Sequence, residues 1–190
     1  MSRTRHRALA LTAPLLAIPL LAGCGLLDPP TLTGSGYDAV TVTSGGTTWL
    51  GTDLCLEGGD AEVSIDDVVP RELGGIDADD LDVRVAWAPL LVAERVDHHR
   101  GRLPPGYQPA AGAQGEIGDC DNPDGNAWLV VGFPDRGRPI WLDDLELAHT
   151  VDGEPATATI KARWVQCPTW SRVLPGERDE ACRRLNQMGS

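Results

Sequence analysis

The sequence predicts an all-β protein, an antiparallel β-sandwich closed by a short C-terminal helix. Three observations carry that expectation. Apolar and polar residues alternate with a period of two in several short runs, as half-buried strands do. Clusters of Gly, Pro and Asp separate those runs. No long stretch repeats apolar residues at helical spacing until the end of the chain.

The elements follow in order. Val40 to Thr43 alternates and stops at Gly45-Gly46. Thr47 to Leu56 is a second extended run, closed by Gly58-Gly59. Ala61 to Val69 sets Val63 and Ile65 on one face, with Ser64 and Asp66 on the other. Leu81 to Trp87 alternates most clearly: Leu81, Val83, Val85 and Trp87 are expected inside, Asp82 and Arg84 outside. Trp128 to Phe133 is apolar apart from Gly132 and suits a buried strand. Ile140 to Leu147 slips phase at Asp143-Asp144, which predicts a bulge. Ala156 to Cys167 places Ala158, Ile160, Ala162 and Trp164 inside, with Lys161 and Arg163 outside. Glu177 to Met188 reads as the helix: Ala181, Leu185 and Met188 share a face, and Asp179–Arg183 and Glu180–Arg184 are favourable pairs four apart. Val92 to Asn126 fits neither period and is read as a functional or a mobile connection.

The N-terminus is an address. Arg3, Arg5 and Arg7 precede an apolar run from Ala8 to Leu21, broken by Pro14 and Pro19. The run is shorter than the roughly 20 residues a spanning helix needs. It ends in Leu21-Ala22-Gly23-Cys24, small residues followed by a thiol. This pattern resembles the bacterial lipoprotein signal. The resemblance implies that residues 1–23 are removed and that Cys24 becomes a lipid-bearing N-terminus on the outer face of the cell membrane. Two acyl chains anchor stably where one is marginal. The three arginines are separated, so no twin-arginine pair is present, and general secretion is expected. Residues 24–36, with Pro29-Pro30 and Gly34-Ser35-Gly36, read as a tether, and 37–190 as the folded domain. Lys161 is the only lysine against fifteen arginines, a usage that resembles high-GC actinobacteria.

Charge and cysteines bound the function. Removing 23 of 190 residues leaves 167, enough for one domain with a core. The loss of three arginines and no acid takes the formal net charge from −12 to −15. Such a chain is repelled by nucleic acid and by anionic polymers. Four cysteines remain after Cys24, and an even number in an oxidising compartment predicts two disulfides. Three connectivities are open. Cys55–Cys167 with Cys120–Cys182 is expected, because it ties an early strand to the last and holds the helix. Cys55–Cys120 with Cys167–Cys182 is its rival.

The sequence holds few constellations of reactive residues. The cysteines lack the CxxC and histidine spacing of a zinc site. His98 and His99 are adjacent, so in a strand they point to opposite faces. Together with the acidic stretch Asp119, Asp121 and Asp124 they define an alternative reading, a metal-dependent envelope hydrolase. That stretch lacks the spacing of a calcium-binding EF-hand and is read as turns before the Trp128 strand. No GxSxG, Ser-x-x-Lys or phosphate-binding glycine loop occurs. Six tryptophans against one phenylalanine read as core filling, with Trp170 the candidate for an exposed aromatic.

The stretches Leu54-Cys55-Leu56, Ala61 to Pro70 and Val165-Gln166-Cys167-Pro168 resemble small actinobacterial lipoproteins with an immunoglobulin-like sandwich, over about residues 48–168. The resemblance implies an immunoglobulin-like domain that serves as an envelope binding or structural module, without catalytic residues or cofactor. Its partners would be the membrane, through the anchor, and an envelope protein or ligand.

Overall fold

The computed structural model describes residues 30–42, 45–89, 95–168 and Cys182. The signal, Cys24, Trp170 and the predicted helix, Cys182 apart, lie outside the described residues. The protein is mostly β, with two sheets. The strands are β1 (Thr31–Thr33), β2 (Asp38–Val42), β3 (Thr48–Glu57), β4 (Ala61–Gly74), β5 (Asp82–Ala86), β6 (His98–Arg100), β7 (Gln108–Pro109), β8 (Ala113–Ile117), β9 (Ala127–Phe133), β10 (Ile140–Val151) and β11 (Glu154–Cys167). One sheet runs β1-β3-β9-β5-β7, with β6 also bordering β3; the other runs β2-β11-β10-β4-β8.

The period-two pattern sets which face is buried. Val63 and Ile65 in β4 are fully buried while Asp66 is exposed. In β11, Ala158, Ile160, Ala162 and Trp164 point inward, and Lys161 and Arg163 outward, as expected. These side chains join Leu50, Leu54 and Leu129 from the other sheet in one core. Trp164 anchors it: the ring lies edge-on to Phe133, and its Nε1–H donates to Tyr37 O at 2.9 Å. The predicted bulge is present, since the β10–β11 register shifts between Asp143 and Leu145, and Asp144 adopts φ 54°. Its carboxylate accepts from Lys161 Nζ at 2.9 Å and from Ala162 N at 3.3 Å. The Lys161 hydrogen bond holds the Asp144 carboxyl below its usual range.

Three expectations are corrected. The sheets are not wholly antiparallel: β2 lies parallel to β11. The chain passes from β1 in one sheet to β2 in the other, so β2 reaches β11 without a hairpin and is free to run alongside it. The stretch 24–36 is not all tether. Thr31–Thr33 pairs with Glu57–Cys55, because Leu32 is buried in the core.

The third correction is the disulfide pairing. The bonds are Cys55–Cys120 and Cys167–Cys182, with Cα separations of 4.9 and 5.6 Å. Cys55 sits near the end of β3. Residues 118–120 run beside that end, with Leu56 N donating to Gly118 O and Cys120 N to Leu56 O, both at 3.0 Å. Cys167 lies at the other end of the molecule, since its neighbour Gln166 donates to Thr48 Oγ1 at 3.4 Å. Seven residues of strand, roughly 23 Å, separate Thr48 from Cys55. The expected Cys55–Cys167 bond is therefore geometrically excluded. Non-reducing peptide mapping is expected to yield the Cys55–Cys120 and Cys167–Cys182 peptides; a Cys55–Cys167 peptide would contradict the topology. By chain-entropy arguments the larger loop, 65 residues in sequence separation, is worth about 4 kcal/mol.

Candidate functional site

The sheet carrying β3, β9 and β5 has apolar residues on both faces. Its inner face belongs to the main core. On its outer face Trp49, Ala86 and Val130 are buried by Val96 and Tyr107, forming a second, smaller cluster. The covering strap is residues 95–110, part of the segment that fitted neither period. It is ordered: β6 pairs with β3, β7 with β5, and the chain then crosses to the other sheet as β8 against β4.

Two glycines make room for this layer. A Cβ on Gly51 would stand 1.9 Å from Val96 O, and one on Gly132 would stand 2.7 Å from the Trp49 ring. With both absent, Trp49 lies flat over β9 and the strap seats directly on β3. Gly51 N donates to Asp97 O at 3.1 Å. Trp128 Nε1–H donates to Val96 O at 2.9 Å, and Trp49 Nε1–H to Gly101 O at 2.7 Å. The Tyr107 hydroxyl accepts from Val96 N at 3.2 Å. Each polar atom on these aromatic side chains is thus spent on holding the strap.

Where the strap leaves the sheet a groove of about 700 Å³ opens. Trp49, Arg84 and His99 form its floor, and Arg102 to Pro105 with Tyr107 form its wall. No acidic residue lines it. The Arg84 guanidinium sits 5.9 Å from the centre of the Trp49 ring. Its Nε–H is held by both carboxylate oxygens of Asp82, at 3.0 and 3.1 Å. Among the described residues, no carboxylate pairs with Arg102. A volume in this range suits a small ligand.

The sequence-predicted candidates fall elsewhere or apart. His98 faces β2, with Nε2 and Thr41 Oγ1 2.9 Å apart; burial, then Arg100 and His99, pull its pKa below the ordinary value. His99 faces the groove, with Nε2 and Arg102 O 2.9 Å apart. The two imidazoles therefore point to opposite faces, as adjacent strand residues must. They pair with Leu50 and Trp49 at one end of β3, whereas Asp119 bridges to Leu56 near the other. Six residues, roughly 20 Å, lie between. Asp119 Oδ1 accepts from Asp121 N at 2.8 Å, and Asp119 N donates to Asp60, the turn chemistry expected of that stretch. Asp124 lies in a short 3-10 turn, Pro123–Gly125, beside Arg95. Among the described residues no group of three His, Cys, Asp or Glu is placed to hold a metal.

Sequence reasoning missed Arg84, Arg102 and Tyr107. The available signal was Gly51 and Gly132, glycines inside strands, which mark close approach of another group, Val96 O at Gly51 and the Trp49 ring at Gly132.

No protein-family model matches the chain, and no curated protein matches it. Among solved structures it is similar to a family 123 glycoside hydrolase from Clostridium perfringens, at 10% identity and a TM-score of 0.37. The match covers 76% of this chain and 28% of that one, so the chain spans under a third of that protein's length. A likeness at this level carries no activity across.

Proposed function

We propose that this protein is a lipid-anchored module of the bacterial cell envelope, held at Cys24 and binding a partner or ligand without catalysing a reaction. The domain is an immunoglobulin-like sandwich with a C-terminal helix stapled by Cys182. The observation that carries the binding reading is the outer-face groove: a strap held to the sheet by side-chain and backbone hydrogen bonds borders a concave surface bearing two arginines. A rigid scaffold that presents a loop-built concavity is the usual arrangement of a binding module. Two disulfides fit an oxidising compartment outside the cytoplasm. The lipobox, the small residues before Cys24 and the preceding basic and apolar stretches support the anchor.

Cell fractionation of Cys24→Ser tests it. The wild-type chain is expected in the membrane fraction, released only by detergent. The variant is expected unprocessed or shed into the medium. Equal, detergent-dependent membrane retention of both would refute the anchor at Cys24.

A further inference from the structure

We infer that the groove between β3 and the strap is a site for a small amphiphilic carboxylate. This rests on the binding reading above and adds the chemistry of the ligand. The chain has 28 acids against 16 Lys and Arg, yet the groove is lined by Arg84, Arg102 and His99 with no acid. Such a local reversal of sign is a selective device. A polyanion is repelled by the whole molecule, whereas a ligand with one negative charge meets two guanidinium groups at close range: Arg84, which shares its charge with Asp82, and Arg102, which has no carboxylate partner among the described residues.

The geometry favours a carboxylate. Packing on Trp49 and the grip of Asp82 on Nε fix the Arg84 plane. Its Nη groups have no partner among the described residues. A guanidinium held in this way presents a planar fork that matches two carboxylate oxygens. Arg102, exposed on the strap, adds a second donor set. Leu103, Pro104 and Pro105 add apolar lining beside Trp49 and Tyr107. A ligand therefore needs an apolar body behind its charge. The groove also lies at the Trp49 end of β3, eight residues from Glu57, where the chain enters the sheet through Thr31. That is roughly 26 Å from the position at which Thr31 pairs.

The test uses the full chain, labelled with nitrogen-15 and purified in detergent, with the Trp49 indole N–H signal as reporter. The probes are phenylacetate, its neutral isostere phenylacetamide, acetate and inorganic phosphate. Phenylacetate is expected to shift the Trp49 signal saturably, at least tenfold more tightly than each of the other three. Arg84→Met and Arg102→Met are each expected to weaken phenylacetate at least fivefold, and Arg163→Met on the other sheet to leave it unchanged. The core Trp164 indole signal reports whether each variant is folded. Arg102→Met alters only an exposed strap position and keeps the test decisive where Arg84→Met disturbs the Trp49 stack. Equal binding of phenylacetamide overturns the carboxylate assignment but leaves the groove a binding site. Phosphate binding as tightly as phenylacetate likewise overturns the ligand class. No shift of Trp49 with any probe at 10 mM, roughly the weakest affinity such a fragment would show, overturns this proposal and the groove-based binding reading together.

Discussion

Replacing Trp164 with alanine is expected to destabilise the protein by about 3–5 kcal/mol, the range for deleting a large buried aromatic. Trp164 is fully buried where β11 faces Phe133 across the two sheets. The substitution leaves a cavity that the surrounding close-packed core can only partly close. It also leaves the Tyr37 carbonyl without its donor. For a domain of this size the loss corresponds to about 10 °C in Tm. Thermal unfolding followed by circular dichroism checks it, with Trp141→Ala as comparison. Trp141 is only partly buried, against Cys167 and Cys182, and should cost far less. Equal costs at the two positions would mean that Trp164 is not the centre of the core.

Gly51→Val is expected to detach the strap while leaving both sheets intact. Even the first added carbon would stand 1.9 Å from Val96 O, 2.7 Å from Trp128 Nε1 and 2.9 Å from Val130 Cγ1. Val96 O and Trp128 Nε1 are hydrogen-bonded to each other, and Val130 is fully buried, so none of the three gives way cheaply. Overpacking of this kind costs about 2 kcal/mol, which raises the opening equilibrium of the strap roughly 30-fold. Arg95, Arg100 and Arg102 all lie in the strap, so trypsin reads the opening directly. Cleavage there should accelerate by about that factor while the far-ultraviolet strand signal persists. A cleavage rate equal to wild type would show that the strap does not rest on β3.

The two-sheet core was legible in the sequence because its faces follow one rule. Val63, Ile65, Ile160 and Trp164 alternate with polar residues, and the strands they define stand where the pattern puts them. The Asp143-Asp144 phase slip was legible for the same reason. The pattern failed where a sheet is covered on both sides. Trp49 and Leu50 are both buried, as are Val130 and Val131, so alternation disappears in the strands that build the groove. The strand that follows the strap was hidden by composition. In β8 the inward residues are Ala113 and Ile117, with Gly115 between them, too small to announce a strand. The role of the strap follows from backbone contacts that hydropathy does not encode. The disulfide pairing is not legible for a related reason. Sequence order suggests that an early and a late cysteine meet, whereas the topology sets Cys55 and Cys167 at opposite ends of the two-sheet core.

The most direct test of an anchored envelope module is the mass of the mature N-terminal peptide, isolated from membranes of cells expressing the full chain. The account predicts a peptide that begins at Cys24 and carries the mass of a diacylglyceryl group on its sulfur, with nothing retained from residues 1–23. An unmodified Cys24, or a peptide that still contains Leu21-Ala22-Gly23, would contradict it.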